Sequence, residues 1–191
     1  MLHLNKNTQI GQGSERSCYS HPNHTNRCIK LIHKTSTRTA ARCAREIRYL
    51  KKYKSGSTAL ELIPNYYGTV ETNLGLGFVF EQIKDRNGNC SETLSSYVKK
   101  HGANAEVHTL IIDMYQTFLK ARALVSDLHP GNLLITDSKS ACGNRLVMID
   151  GFGNSDFIKI CDYSSFFLKR KLVRKFSRMM THLDLKTDAI K

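Results

Sequence analysis

Asp127 and Asn132 stand at the two ends of the stretch Asp127-Leu128-His129-Pro130-Gly131-Asn132. The Pro-Gly pair between them stops any helix and turns the backbone, so acid and amide belong to one tight loop. A carboxylate and a carboxamide facing the same cleft suit the chemistry of holding a metal ion beside a hydroxyl group. A second acid, Asp150, closes the apolar run RLVMID and is followed by Gly151-Phe152-Gly153. Upstream, Lys30 lies in RCIKLIH among apolar neighbours, where a charge is costly unless a partner neutralises it. Glu46, in a helical stretch further along, can be that partner. Gly11 and Gly13 form a G-x-G turn ahead of the lysine-bearing strand; two glycines alone are a weak signal, but here they could fold backbone N–H groups over phosphates. His129, flanked by Leu128 and Pro130, is expected to shape the loop and is given no catalytic role.

These groups need elements to carry them. Residues 8–32 predict a β-meander, and in RCIKLIH the alternation puts Cys28, Lys30 and Ile32 on one face and Ile29 and Leu31 on the other. Helix formers after a Ser or Thr cap predict a helix over 36–54. NYYGTVETNLGLGFVFEQI reads as two strands around a turn at Asn73 to Gly77, ending in Phe78-Val79-Phe80. The polar, turn-rich KDRNGNCSET marks a boundary between a unit at 1–83 and one at 84–191. Beyond it the pattern predicts a short helix from Glu92 to His101, stopped by Gly102, and a longer one from Ala105 to Leu124. LLIT and RLVMID then form a hairpin bridged by DSKSACGN, and helix resumes from about Asp162. The expected fold class is α+β.

The 191 residues, 40% hydrophobic, are enough for an ordinary core. No run of about 18 apolar residues occurs, and the opening MLHLNKNTQI turns polar at once, so neither a transmembrane segment nor a secretory signal is expected and the cytoplasm is the default location. The six cysteines include no C-x-x-C pair and are read as free thiols. A net charge of +13 favours acidic partners. It is densest in FFLKRKLVRKFSRMMTHL, where Leu168, Leu172, Phe176, Met179, Met180 and Leu183 recur at helical steps, describing a core-packing helix with a basic outer face open to an acidic partner or a membrane surface. Without aromatic-interleaved stacking positions or zinc-finger spacing, nucleic acid is the weaker reading.

The order of glycine turn, strand lysine, helix glutamate, apolar strand, acid–Asn loop and second acid is similar to the layout of protein kinases. The stretches GQGSERSCYSHPNHTNRCIK, PNYYGTVETNLGLGFVFEQIKDRNGNCSETL and FFLKRKLVRKF resemble the YrbL family, the bacterial "PhoP regulatory network" proteins, over nearly the whole chain. That family resembles a minimal protein kinase. The resemblance implies a two-lobed kinase-like fold with a β-rich N-lobe and a truncated helical C-lobe, ATP and magnesium as cofactors, and a protein or small molecule as acceptor. By the kinase pattern, Lys30 held by Glu46 would meet the α- and β-phosphates, Asp127 would accept the hydroxyl proton, and Asn132 and Asp150 would bind magnesium. Cys28 and Leu134 would sandwich the adenine, with Phe80, Glu81 and Gln82 supplying backbone groups to its edge. Two departures stand out. Val125-Ser126 replaces the usual His-Arg, making DLHPGN closer to aminoglycoside phosphotransferases, and no activation segment ending in Ala-Pro-Glu follows Asp150-Gly151-Phe152-Gly153. The alternative is a pseudokinase that binds a regulatory partner without catalysis.

Overall fold

The computed structural model describes residues 1–33, 37–55, 60–137, 143–154 and 160–190. Three strands open the chain: β1 (Gln9–Gln12), β2 (Arg16–Ser20) and β3 (Arg27–Ile32). After α1 (Thr37–Lys54), strands β4 (Tyr66–Thr72) and β5 (Gly75–Glu81) complete an antiparallel sheet of order β1-β2-β3-β5-β4. The expected turn between β4 and β5 is tight, with Gly75 at positive φ and the Thr72 hydroxyl accepting from the Leu74 amide at 3.1 Å. As the alternation in RCIKLIH predicts, β3 divides its faces. Ile29 and Leu31 join Leu4 and Val79 in a small cluster behind the sheet, and Cys28 and Lys30 face the other way.

The remaining elements are α2 (Leu94–His101), α3 (Ala105–Lys120), the hairpin β6 (Leu133–Asp137) and β7 (Asn144–Met148), α4 (Ile160–Tyr163) and α5 (Ser165–His182). The architecture is mixed α+β. Thr93 caps α2 by accepting from the Ser96 amide at 3.1 Å, Gly102 ends it at a φ of 74°, and Asn104 caps α3 through the Val107 amide at 3.0 Å. α3 stops four residues before the expected end at Leu124. Arg122 takes a left-handed φ of 49°, its amide donates to Leu119, and the next amide, Ala123, reaches back to the Phe118 carbonyl at 2.8 Å. This is the double bond of a Schellman cap, with arginine where glycine is usual. The apolar pattern continues to Val125 because Ala123, Leu124 and Val125 are buried beyond the helix, and the Leu124 amide donates to the Tyr53 hydroxyl at 2.6 Å.

The main core runs from Cys28, Tyr49 and Phe80 under the sheet, through Ile111, Met114 and Phe118 of α3, to Leu172 and Phe176 of α5. The predicted stripe of α5 is buried at Leu168, Leu172, Phe176, Met179 and Met180, while Leu183 is half-buried. Phe176 meets Tyr115 and Phe118 edge-on, with ring centroids 5.4 and 6.1 Å apart. The five described cysteines are free thiols; Cys142 and the Ser36 cap lie outside the described residues. No helix among the described residues is long and apolar enough to cross a membrane.

Candidate functional site

Segments from both the sheet and the helical half meet around one cleft of about 600 Å³. All the residues singled out from the sequence line it: Gly11, Gly13, Cys28, Lys30, Glu46, Phe80, Glu81, Gln82, Asp127, Asn132, Leu134 and Asp150. Its volume lies within the range of small-molecule and cofactor sites.

The loop from Ser126 to Asn132 is held from both sides. The His129 ring accepts from the Gly131 amide at 3.1 Å, and a turn of 3₁₀ helix over Pro130–Asn132 delivers the chain into β6. The Asn132 amide group donates to the Asp127 carbonyl at 3.2 Å, which leaves Asn132 Oδ1 without a hydrogen bond among the described residues. The segment after β7 packs directly on this loop. Both the Ser126 and Asp127 amides donate to the Gly151 carbonyl, at 2.8 and 3.2 Å. Gly151 has a φ of 85°, and a Cβ there would lie 2.3 Å from the Asp127 carbonyl oxygen, so the close approach admits only glycine. Gly153 repeats the arrangement at a φ of 94°, with its missing Cβ 2.5 Å from the Tyr49 ring. Phe152 between them is buried and bridges to Val125. The D-G-F-G sequence thus docks Asp150 against the Asp127 loop. Asp127 itself stays open, its side chain 69% exposed and 3.8 Å from His129 Nε2.

Charge is concentrated at the centre. Lys30 is 7% exposed and donates to Asp150 Oδ1 at 3.0 Å and to the Ile149 carbonyl at 2.8 Å. The structure corrects one expected contact: Glu46 pairs not with Lys30 but with Arg16, at 2.8 Å, while its other oxygen accepts the Gly151 amide at 3.1 Å. Arg16 reaches from the start of β2 and also meets Asp150 Oδ1 at 3.1 Å, so it ties α1 to the end of β7 and displaces Glu46 from the lysine. Sequence reading missed Arg16 because it sits in the polar turn SERS, where a charged residue is ordinarily solvated. The signal that could have found it is an arginine facing inward two residues before Cys18 on the cleft-lining strand.

Burial works against the charge on both cations, but Asp150 for Lys30, and Asp150 with Glu46 for Arg16, outweigh it and hold their pKa values above the ordinary ones. Burial likewise opposes ionisation of Asp150, and the Lys30 and Arg16 cations overcome it, so Asp150 is held below the usual carboxylate range. Its Oδ2 has no hydrogen bond among the described residues.

At the far end of the cleft, a hydrogen bond with Cys18 and then burial push the Cys28 thiol up, leaving a neutral, apolar wall beside Leu134 and Phe80. The edge expected to offer backbone groups is partly engaged already: the Glu81 amide donates to Asn65 and the Gln82 amide to Asn26, both at 2.9 Å, and the Glu81 carbonyl accepts from the Cys28 thiol at 3.8 Å.

Magnesium takes oxygen ligands and keeps several waters, so one carboxylate and one carboxamide beside a polyphosphate suffice. Asp150 Oδ2 and Asn132 Oδ1 fit that requirement. No group of three His, Cys, Asp or Glu side chains capable of holding a metal exists among the described residues.

Sheet, helices and cleft together define a mixed α+β protein with a partly buried four-charge cluster and an open carboxylate at the cleft mouth. The model of the "PhoP regulatory network protein YrbL" family matches residues 2–184, and the chain belongs to that family. It is 28% identical over 186 residues to "Uncharacterized protein YrbL" of Escherichia coli (strain K12), covering 94% of this chain and 87% of that protein. The protein of the same name in Shigella flexneri matches with the same identity and coverage.

Proposed function

We propose that the chain is a minimal kinase-like phosphotransferase that moves the γ-phosphoryl group of ATP to a hydroxyl of a protein or small-molecule acceptor, within a bacterial regulatory network. In this reading residues 1–83 form the N-lobe and 84–191 the reduced C-lobe of a cytoplasmic enzyme. The observation that carries it is the convergence of Lys30, Asp127, Asn132 and Asp150 on one cleft with the acid of the loop exposed and the acid beyond β7 ionised. Lys30 and Arg16 would meet the α- and β-phosphates. Asp150 and Asn132 would hold magnesium, which when bound supplies neutralisation of the developing phosphate charge. Asp127 would orient the acceptor and take its proton as the oxygen–phosphorus bond forms and ADP leaves. Gly11 and Gly13 would close over the phosphates, and Cys28, Leu134 and the backbone of Phe80, Glu81 and Gln82 would seat the base.

A specific contact favours a second reading, a pseudokinase that binds nucleotide or partner without chemistry. Glu46 is engaged by Arg16, and two cations crowd one oxygen of Asp150. A thermal shift with ATP and magnesium, followed by mass spectrometry of the chain after incubation with ATP, separates the two. A shift with phosphate on the chain or on an added acceptor supports transfer. A shift without transfer across broad acceptor mixtures supports the pseudokinase, and no shift at all removes the phosphotransferase.

A further inference from the structure

α5 carries Lys169, Arg170, Lys171, Arg174, Lys175 and Arg178 and no acid. Its apolar stripe faces the core. Lys171 and Lys175 turn toward the loops of the cleft, donating to Asn154 Oδ1 at 2.8 Å and to the Ser126 carbonyl. The stripe that remains is exposed. Arg170, Arg174 and Arg178 follow Phe166 at four-residue steps, repeating about every 6 Å along the axis. Among the described residues no carboxylate lies within ion-pair distance of these three arginines. At the head of the stripe Tyr163, Phe166 and Phe167 are 86%, 63% and 40% exposed, and Arg170 lies over the Phe166 ring, 5.6 Å from its centroid.

Like charges at four-residue spacing repel and weaken a helix, and three large apolar side chains in water add to the cost. We propose that this face docks an acidic polypeptide segment of a partner, with carboxylates at matching helical steps and an apolar side chain seated among Tyr163, Phe166 and Phe167. Three features select that occupant. The guanidinium fork matches carboxylates in a bidentate way that a lysine stripe would not. The three arginines lie along one line rather than across a plane. A helix that lies in a bilayer interface turns its apolar stripe to the lipid, whereas Leu168, Leu172, Phe176, Met179 and Met180 are already buried in the core. The inference stands apart from the phosphotransferase reading, since it uses none of the cleft residues.

The test is fluorescence anisotropy of a labelled helical peptide with glutamates at three successive four-residue steps and a leucine one turn beyond, titrated with the full chain. A second peptide of the same composition carries its glutamates in one block. The expected result is salt-sensitive binding of the first peptide and at least severalfold weaker binding of the second. The triple variant Arg170→Gln/Arg174→Gln/Arg178→Gln should lose about tenfold in affinity, the scale of three exposed charge pairs. Phe166→Ser/Phe167→Ser should weaken binding with an unchanged thermal melt. If the triple variant fails to fold, Arg174→Gln and the comparison of the two peptides decide. Equal binding of both peptides, no binding of the first, or capture of phosphatidylserine vesicles or duplex DNA without the peptide overturns the proposal.

Discussion

Replacing Arg16 by alanine should destabilise the chain through Glu46 rather than through Asp150. Arg16 holds the two carboxylates at 2.8 and 3.1 Å, yet their fates differ once it is gone. Asp150 keeps Lys30 at 3.0 Å, whereas Glu46, its side chain 6% exposed, keeps only the Gly151 amide. Stranding one partner of a buried pair costs about 3–5 kcal/mol. The retained amide bond and the partial access of water to Arg16 put the expected loss near the low end, about 3 kcal/mol. Adding Glu46→Gln removes the stranded charge and leaves an oxygen for the Gly151 amide, so the double variant should recover about 1–2 kcal/mol. Urea unfolding of wild type, both single variants and the double variant, followed by far-UV circular dichroism, gives the full cycle. The reasoning is refuted if Arg16→Ala costs less than about 1 kcal/mol, or if the losses of the two single variants simply add.

Further outcomes follow from the same geometry. Asp127→Ala should lower phosphoryl transfer by about 10²–10⁴-fold while ATP affinity stays within a few fold, measured with γ-labelled ATP beside a binding titration. Gly151→Ala should cost at least about 2 kcal/mol, combining a left-handed φ with a Cβ placed on the Asp127 carbonyl, and a thermal melt reads it. The Asp150 pKa is depressed on folding, so the stability it contributes is fully present above the ordinary carboxylate pKa. That stability is lost as pH falls through the lower folded value. Asp150→Asn should therefore flatten the acid limb of a stability–pH curve, and an unchanged limb would assign it to other carboxylates.

The parts of the site legible in the sequence are those whose chemistry is local. Pro130 and Gly131 announce the loop, the alternation around Lys30 announces its strand, and the apolar run RLVMID delivers Asp150 to its end. What the sequence hid is a contact between distant elements. Glu46 could have met either of two cations, and only the register of β2 on β3, with Cys18 opposite Lys30 and Arg16 opposite Ile32, brings the arginine into reach. The end of α3 was hidden for a different reason. The apolar pattern runs on to Val125 because non-helical residues pack there as well as helical ones would, and the cap uses Arg122 where glycine would have signalled it. The glycines of D-G-F-G were visible, but not their purpose, since the Asp127 carbonyl and the Tyr49 ring that exclude a Cβ come from far along the chain.

The proposed function requires that the cleft bind a triphosphate with a metal that Asp150 and Asn132 would hold. A crystal grown with a non-hydrolysable ATP analogue and manganese tests it most directly, because anomalous scattering locates the metal independently of the protein density. The account predicts a manganese peak between Asp150 Oδ2 and Asn132 Oδ1, with Lys30 on the phosphates and the open carboxylate of Asp127 beyond the terminal one. A nucleotide bound elsewhere, or in the cleft with its metal clear of both side chains, would contradict it.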